Sequence, residues 1–594
     1  LHVTMANEAD DRCPDGRARG GTGAQHRRRR PVAEVREVYE GSTRMEGVMR
    51  RSSIALLVGA LAIVASLAVG PVASAKPQRA QGGTVVFIHD QEPPNLQGPW
   101  VGNNLYATSL VTNNIWYGCQ IYNDKADFVP RLCVDKPKIV KEKPLTIQFE
   151  YKKEAVWSDG KPVTWKDFWA TWQVFINPKN NVVSRTGWED IKSVSRVGTN
   201  DKKVQVVFKT QFADWESVVS TGPYAEHIIR GKDMNQMFLN DIPVSSGPWK
   251  FQSWQKGVQI TVVKNKAFKA YKPMQLDRVV FRYILDTNAR FQALKAGEGQ
   301  VMEPQPQLQI ADFLKDKNFV VDQKVGYAWE HIDIQFGPKG HPALKQPYIR
   351  QALITGINRP QVAAALYKDI APGLPALQSH MFKPFEKDYR PNWKVYPFSQ
   401  KKVIEILKSH GCTGGPDKPT PNNQNIFSCP GVGKLSFRFV TTAGNQLRAL
   451  TFEIIQRQLK SVGIELVPRF GTGGFVFGTV LPSGDWDLFM FTWVGGPTSS
   501  ITAKDFYGCG GDQNYMNYCN RKLTNILNKV AVTLSADERA KLLNEAEAKY
   551  MVKDVPSIPM YARPIYVIHS VKVKGPVVNP TQEGSPWNVS DWVA

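Results

Sequence analysis

The sequence predicts an α/β protein with two or three lobes, and three observations support this fold class. The chain has 594 residues, more than a single hydrophobic core usually serves. Apolar residues make up 42% of the chain and charged residues 22%, as in an ordinary globular protein. Strand-like runs alternate with helical patterns along the chain without a fixed repeat, which favours lobes of mixed structure.

Strands are predicted where β-branched and aromatic residues cluster between turn residues. Four such runs lie at 84–88, 145–149, 204–208 and 258–263. The last run alternates in part between apolar and polar residues, as a half-buried strand does.

Helices are predicted where capping residues precede apolar residues at helical spacing. Thr164 with Asp167 resembles a capping box and predicts a helix over 165–175, which Pro178 would end. The same kind of pattern predicts three further helices, over 400–410, 447–462 and 536–550.

The first 75 residues predict a leader and an export signal. Residues 1–44 lack any periodic apolar pattern and predict a non-native or disordered leader. Residues 45–75 predict a signal peptide, with a basic pair, a continuous apolar run at 54–69 and small residues at 73–75. The apolar run is shorter than the roughly 20 residues of a membrane span, and no Cys adjoins the cleavage site to form a lipobox. We therefore expect an extracytoplasmic protein that begins near Lys76.

The formal charge of +22 is spread along the chain as single Lys and Arg residues. The only dense basic run, at 27–30, precedes the predicted signal. Nucleic-acid binding needs charge concentrated on one face with interleaved aromatic residues, so nucleic acid is not a predicted partner.

Six cysteines follow the leader and fall into three couples that are close in sequence. In an oxidising compartment the simplest pairing is local, and it predicts the disulfides Cys119–Cys133, Cys412–Cys429 and Cys509–Cys519. Each would stabilise the fold by about 3 kcal/mol, chiefly by restricting the unfolded chain. A zinc site is the alternative, but it is disfavoured because the chain has no CxxC motif and few His residues.

No sequence motif points to catalysis, and we predict no catalytic residue, metal or cofactor. GxSxG, HExxH, P-loop and EF-hand patterns are all absent from the sequence. Gly471-Thr472-Gly473-Gly474 is the nearest approach to a phosphate-binding loop, but the sequence around it predicts a flexible loop. Asp485 and Asp487 could form a carboxylate pair, although a structural turn before a strand is favoured.

Five segments, taken in order, resemble the extracytoplasmic solute-binding proteins of family 5, the dipeptide-, oligopeptide- and nickel-binding components of ABC transporters. The segments are 157–168 (WSDGKPVTWKDF), 246–251 (SGPWKF), 348–359 (YIRQALITGINR), 484–493 (GDWDLFMFTW) and 555–561 (VPSIPMY). Most of these residues also have a structural interpretation as turns and caps, so the resemblance bears first on the fold.

The resemblance implies a two-lobed periplasmic-binding-protein fold of type II, with a hinge and an extra inserted domain. Lobe I would comprise 82–115, 241–325 and 556–594. The inserted domain would be 116–240 and lobe II 326–555, with the hinge crossings near 325–329 and 555–560. Such lobes close on a ligand by hinge motion.

The same resemblance implies a monomeric, non-enzymatic substrate-binding protein of an ABC importer. Its partners would be a small peptide or peptide-like ligand and the permease in the membrane. The alternatives are a secreted hydrolase of peptide or cell-wall substrates, which would need a convergent nucleophile and base, and a same-family binder of a non-peptide solute.

In peptide-binding members of this family an extended ligand pairs with the strand that follows the GDWD-like segment. The matching positions are Trp493, Val494, Gly495 and Gly496, which we predict to bind ligand. Peptide binders usually carry an Asp in this region to pair with the ligand's ammonium, whereas this chain has Gly496-Pro497, and the nearest later acid is Asp505. The departure predicts that binding does not depend on a free amino terminus.

Overall fold

The computed structural model describes residues 83–101, 105–271, 274–498 and 500–594. The predicted leader, signal peptide and cleavage site lie outside the described residues. None of the helices in the described ranges has the length and apolar character of a membrane span.

The strands account for most of the framework that positions the cleft. In chain order they are β1 Thr84–His89, β2 Gln120–Tyr122, β3 Phe128–Pro130, β4 Lys138–Glu142, β5 Leu145–Glu150, β6 Ile191–Val197, β7 Asn200–Phe208, β8 Trp249–Gln255, β9 Gln259–Lys264, β10 Arg278–Tyr283, β11 Val301–Met302, β12 Phe319–Ile334, β13 Ser428–Cys429, β14 Gly433–Lys434, β15 Ser436–Thr442, β16 Glu465–Gly471, β17 Leu488–Trp493 and β18 Ser557–Ser570. The four predicted strands correspond to β1, β5, β7 and β9.

The helices lie between these strands and cover the sheets. They are α1 Tyr106–Thr112, α2 Trp165–Ile176, α3 Trp215–Ser220, α4 Glu226–Ile229, α5 Thr287–Lys295, α6 Ile310–Phe313, α7 Pro347–Gly356, α8 Arg359–Tyr367, α9 Gln400–Ser409, α10 Gln446–Lys460, α11 Gly473–Phe475, α12 Leu481–Ser483, α13 Ala503–Tyr507, α14 Arg521–Val532, α15 Ala536–Ala546 and α16 Val552–Asp554. The four predicted helices correspond to α2, α9, α10 and α15.

Local sequence explains why these helices begin where they do. Thr164 and Asp167 form the predicted capping box of α2, with the backbone amide of Thr164 donating to Asp167 Oδ2 at 2.7 Å. Ser399 Oγ accepts from the backbone amide of Lys402 at 3.2 Å and caps α9. These bonds satisfy amides that the first turn of a helix leaves without a partner.

One ten-stranded sheet runs through the molecule in the order β16-β15-β17-β12-β18-β11-β1-β10-β9-β8. Its centre is the antiparallel pair β12 and β18, the two longest strands. Their register shifts between Val325 and Trp329. On either side of this pair the buried apolar residues form two large clusters, one around β15 to β17 and one around β5 to β10.

A separate four-stranded antiparallel sheet has the order β4-β5-β7-β6. All of its strands fall between 138 and 208, inside the segment predicted to be an inserted domain. The boundaries of the lobes at 116, 240 and 326 stay a prediction.

All three predicted disulfides are confirmed. The Cα–Cα distances are 4.7 Å for Cys119–Cys133, 4.1 Å for Cys412–Cys429 and 4.4 Å for Cys509–Cys519. The first bridge braces β2 and β3, since Cys119 directly precedes β2 and Cys133 follows β3.

The prediction of a flexible loop at 471–474 is wrong. Gly471 ends β16, and Gly473 begins a helical segment that continues through a π-helical stretch, Val476–Val480, to Ser483. The segment therefore does connect a strand to a helix. Sequence reasoning missed the helix because glycine is a poor helix former.

Candidate ligand-binding cleft

A cavity of about 1070 Å³ opens between segments that are far apart in the sequence. One part of its lining, which we call the Trp493 wall, consists of residues 442–445 and 491–495. Another part, which we call the Tyr122 wall, consists of Asn113, Gln120, Tyr122, Asp214 and Glu583.

The Trp493 wall contains a strand edge that opens into the cavity. β17 pairs with β12 along its whole length, from Leu488 to Trp493. Its ladder with β15 on the other side covers only Leu488 and Phe489, because β15 diverges from β17 beyond that point and continues beside β16. The resulting wedge leaves one edge of residues 491–493 without a neighbouring strand in the part of the chain that the structure describes. The backbone amides of Val494 and Gly495 donate no hydrogen bond to any described residue.

Three of the four predicted site residues line the cavity, namely Trp493, Val494 and Gly495. Trp493 is half-buried, and its ring centroid lies 4.5 Å from that of Phe506. Gly496 lies beside the cavity in a small neighbouring pocket shared with Trp329. Whether these residues contact a ligand stays a prediction.

Gly496 is where the two walls meet. A Cβ atom at this position would lie 2.9 Å from Tyr122 Cε2 and 3.0 Å from Gln582 Oε1. Tyr122 Oη is 3.2 Å from Thr498 Oγ1, and its ring stacks on Phe128 with centroids 3.9 Å apart. A side chain at 496 would therefore displace the Tyr122 ring.

Asp505 does not line the cavity with the Trp493 wall. It is buried, and its two carboxylate oxygens accept hydrogen bonds from Thr186 Oγ1 at 2.7 Å and from Ser184 Oγ at 3.1 Å. Burial raises the pKa of this carboxyl above its ordinary value. The backbone amide of Arg185 donates to Asp512 Oδ2 at 3.0 Å. Asp505, the first acidic residue after Gly496 in the sequence, thus holds segment 184–186 in place.

A second set of contacts bridges the cleft elsewhere. Asn445 Nδ2 donates to Gln305 Oε1, and Gln309 Nε2 donates to Gln446 Oε1 at 3.1 Å. Thr287 Oγ1 donates to the carbonyl oxygen of Gly444 at 3.4 Å. The cleft is therefore spanned by polar contacts near 184–186 and near 444–446.

A buried ionic network lies at the base of the Trp493 wall. Arg448 Nε donates to Glu330 Oε1 at 2.8 Å, and Thr492 Oγ1 also donates to Glu330. Burial alone would raise the pKa of Glu330, but Arg448 and then Arg563 hold it below the ordinary value. Arg563 lines the cavity, and its Nε atom has no partner among the described residues. The guanidinium therefore has a free donor beside the cavity.

The Tyr122 wall carries two carboxyls that the sequence did not single out. Burial raises the pKa of Asp214 to about 7 and that of Glu583 to about 7. Asp214 precedes α3, and Glu583 belongs to the C-terminal segment, so nothing in the local sequence of either residue links it to the other.

Asp485 and Asp487, the carboxylate pair that the sequence suggested, have a structural role. Arg438 Nη2 lies 2.9 Å from Asp487 Oδ1, and Arg438 also binds Asp485. Asp487 Oδ1 additionally accepts from the backbone amide of His341 at 2.8 Å. Within the described ranges no group of three or more His, Cys, Asp or Glu residues could hold a metal ion.

The fold and the cleft define a solute-binding protein of the type II periplasmic class. The sequence matches the bacterial extracellular solute-binding proteins, family 5, middle region, over residues 127–514. This match covers more than half of the chain, and the chain belongs to this family.

Relatives share modest identity over most of their length. The chain is 25% identical over 430 residues to the oligopeptide-binding protein AppA of Bacillus subtilis, covering 70% of this chain and 74% of that protein. It is 22% identical over 524 residues to the oligopeptide-binding protein OppA of Mycobacterium tuberculosis, covering 83% of this chain and 84% of that protein.

Solved structures show the same fold. The periplasmic EDTA-binding protein EppA superposes with a TM-score of 0.76 at 22% identity, covering 86% of this chain and 96% of its own. Bacillus subtilis AppA in complex with a nonapeptide superposes with a TM-score of 0.75 at 20% identity, covering 86% of this chain and 99% of its own.

Proposed function

We propose that this protein captures peptides or peptide-like solutes in its cleft and delivers them to the permease of an ABC importer. It acts outside the cytoplasm as a monomer, after export directed by the signal at 45–75. It has no catalytic activity towards the ligand.

The open edge of β17 is the observation that carries this proposal. An extended peptide laid along 491–495 would form main-chain hydrogen bonds with the free edge of the strand, as in β-augmentation. Such bonds do not depend on ligand side chains, so one cleft could accept many sequences. Trp493 would supply an apolar contact beside that edge.

The size of the cavity and the relatives support the same function. At about 1070 Å³ the cavity is at the upper end of the roughly 300–1,000 Å³ typical of small-molecule pockets, which leaves room for a short peptide. The curated relatives include the oligopeptide-binding proteins AppA and OppA.

The proposal is tested by identifying the natural ligand and then titrating a defined one. Ligands released from the secreted, purified protein by denaturation are analysed by mass spectrometry, and we expect peptides. The refolded, ligand-free protein is then titrated with trialanine and with trialanine methylated on its central amide. The methylated peptide should bind about tenfold more weakly, because one main-chain hydrogen bond is lost.

Recovery of a sugar or metal chelate, together with no binding of either peptide, would replace this proposal with a same-family binder of a non-peptide solute. Cleavage of trialanine that survives repurification would favour the hydrolase instead. N-terminal sequencing should show that the secreted protein begins near Lys76.

A further inference from the structure

The lining of the cavity is divided by charge. Its described residues between 472 and 515 include no Asp, Glu, Lys, Arg or His. The charged lining residues, such as Asp90, Arg290 and Arg563, all come from other parts of the chain. A ligand group that lies against residues 472–515 therefore finds no charged partner among them, which favours an uncharged group in this part of the cavity.

Four aromatic rings form a continuous row along this uncharged part. Between ring centroids, Phe477 lies 5.9 Å from Phe491, which in turn lies 5.0 Å from Trp493. Trp493 lies 4.5 Å from Phe506, and separations of this size are typical of favourable aromatic pairs. All four residues line the cavity, and we call them the aromatic row. Phe491 is 2% exposed and supports its neighbours, whereas the other three rings are half-buried.

Phe477 reaches the cavity from the helical segment that follows β16. This segment contains the π-helical stretch Val476–Val480, whose first and last residues are 1% and 3% exposed and pack in the core. Leu481 follows Phe477 by about one turn and also lines the cavity. π-helical turns are rare and occur frequently at functional sites. The segment thus packs one side against the core and presents Phe477 and Leu481 to the cavity.

Glycine leaves open space beside Phe477. Gly474 precedes Phe477 by three residues, so the two positions are neighbours on the surface of the helical segment. Gly474 is exposed and lines the cavity, and a Cβ atom at this position would have no other atom within 4 Å. The cavity therefore has room for a side chain of the ligand next to the Phe477 ring.

The aromatic row lies beside the strand edge along which the ligand is proposed to pair. Phe491 and Trp493 are two residues apart on β17, so their side chains point to the same face. A ligand residue that pairs opposite either position would direct its own side chain to that face as well. Pairing of the main chains therefore brings one ligand side chain against the row.

We infer that the aromatic row receives an aromatic side chain of the bound ligand, so that this protein prefers peptides with an aromatic residue at one position. The inference rests on the proposed function and narrows its substrate class, since main-chain bonds admit many sequences and the row selects at a single position. A Phe side chain would bury its ring against the row. A Lys or Glu side chain would give up water there without gaining a charged partner.

Calorimetric titration of the ligand-free wild-type protein tests this preference. The ligands are trialanine, the three peptides in which Phe replaces one Ala, and the three in which Lys replaces one Ala. The best of the Phe peptides should bind at least about tenfold more tightly than trialanine, because the buried ring adds apolar contact. The peptide with Lys at the same position should bind no more tightly than trialanine.

Two further measurements distinguish burial of a ring from a polar contact. The heat-capacity change on binding should be more negative for the best Phe peptide than for trialanine, because more apolar surface is buried. The ratio of these two affinities should be the same at low and high salt, because the row carries no charge.

Single-residue variants locate the preference. Phe477→Ala should reduce the ratio of the two affinities several-fold. Phe477→Leu keeps apolar volume without the ring and should give an intermediate ratio, so the test does not depend on the folding of the alanine variant. Phe475→Ala is the matched control, because Phe475 belongs to the same helical segment, is 49% exposed and is not one of the described lining residues. Its ratio should equal that of the wild type, and circular dichroism confirms that each variant is folded.

The possible outcomes separate the inference from the proposed function. If the wild type binds trialanine but gains no affinity from Phe, or gains as much from Lys, the inference is overturned and peptide binding stands. A wild-type ratio that persists in both Phe477→Ala and Phe477→Leu would place the aromatic preference elsewhere and also overturn it. Failure of the wild type to bind any of these peptides would remove the proposed function, and the inference with it.

Discussion

The Trp493 wall and the Tyr122 wall line one cavity, but they are built in different ways. The Trp493 wall is largely the continuation of regular strands, β15 and β17. The Tyr122 wall is assembled from a short strand, the start of α3 and the C-terminal segment, which are separated by long stretches of chain. The first wall offers backbone groups and aromatic rings, and the second offers carboxyls and an amide.

This difference suggests a division of labour in recognition. Main-chain bonding along β17 would hold any extended ligand, whatever its side chains. Buried carboxyls, in contrast, discriminate strongly, because a site that is built to bond a polar group rejects a ligand that lacks it. We therefore expect the Trp493 wall to set the affinity and the Tyr122 wall to set the polarity and direction of the ligand.

Asp505 and Asp214 repeat the contrast at the level of single residues. Both are buried carboxyls near the cleft. The oxygens of Asp505 are both bonded to hydroxyls of segment 184–186, whereas Asp214 lines the cavity and is bonded by the hydroxyls of Ser217 and Thr498. The first acid holds one protein segment to another, whereas the second borders the space that a ligand would occupy.

The largest effect is expected for Asp214→Asn on stability in the absence of ligand. The folded-state pKa of Asp214 is raised from 3.8 to about 7, so its contribution to stability is fully present below about pH 4 and is lost as the pH rises through 7. The Asp214→Asn variant has no carboxyl at this position, so its stability does not fall in this way as the pH rises. Relative to wild type, its free energy of unfolding should therefore rise by about 2–4 kcal/mol between pH 4 and pH 8.

Chemical denaturation of both proteins across this pH range measures the difference. Asp201→Asn is the contrasting control. An exposed Arg196 partner lowers the pKa of Asp201, so this substitution should change the free energy of unfolding only weakly and with the opposite dependence on pH. A stability difference for Asp214→Asn that does not change with pH would mean that the carboxyl is not desolvated.

The next effect in size is expected for Trp493→Ala on affinity. Truncation of a buried aromatic anchor costs about 1–3 kcal/mol of binding free energy, and trialanine affinity should fall accordingly. Titration calorimetry gives this value, with Trp169→Ala as a control at an exposed tryptophan (39% exposed). Unchanged affinity in Trp493→Ala would show that this residue only packs against Phe506.

A smaller effect is expected for Asp505→Ala. The variant removes the two hydrogen bonds to Ser184 and Thr186, and the closed cleft should lose about 1 kcal/mol relative to the open one. Affinity should fall equally for trialanine and for N-acetyl-trialanine, as measured by calorimetry. A selective loss for the free amine would mean that Asp505 pairs with the ligand's ammonium group.

The sequence predicted those parts of the fold that have a local signal. The capping box at Thr164 and Asp167 begins α2 where predicted, because both partners lie within one helical turn. The disulfides are confirmed because each cysteine has its partner nearby in sequence. The cleft-lining strand end at 493–495 could be found because it follows the GDWD segment of the family pattern.

The rest of the site has no local signal. Asp214 and Glu583 become neighbours of Tyr122 only through tertiary packing, and each is an ordinary acid in its own segment. The helix after Gly471 was missed for a related reason, since its stability comes from packing against the core at Val476 and Val480 and outweighs the poor helix propensity of Gly473 and Gly474.

The smallest effect is expected for Gly496→Ala, which tests whether the two walls must touch. The added methyl would lie 2.9 Å from Tyr122 Cε2, closer than van der Waals contact allows, so the Tyr122 ring would have to shift. Because Tyr122 lines the cavity, we expect the ring to shift towards that space, at a cost near the lower end for overpacking, about 1 kcal/mol or less in affinity. Gly474→Ala is the matched control, since it adds the same methyl to another part of the cavity lining, where no atom lies within 4 Å.

Calorimetry with trialanine should show weaker binding for Gly496→Ala and little change for Gly474→Ala. Equal affinities for the two variants would mean that Tyr122 moves freely away from the 494–498 turn, and that the walls act independently on the ligand.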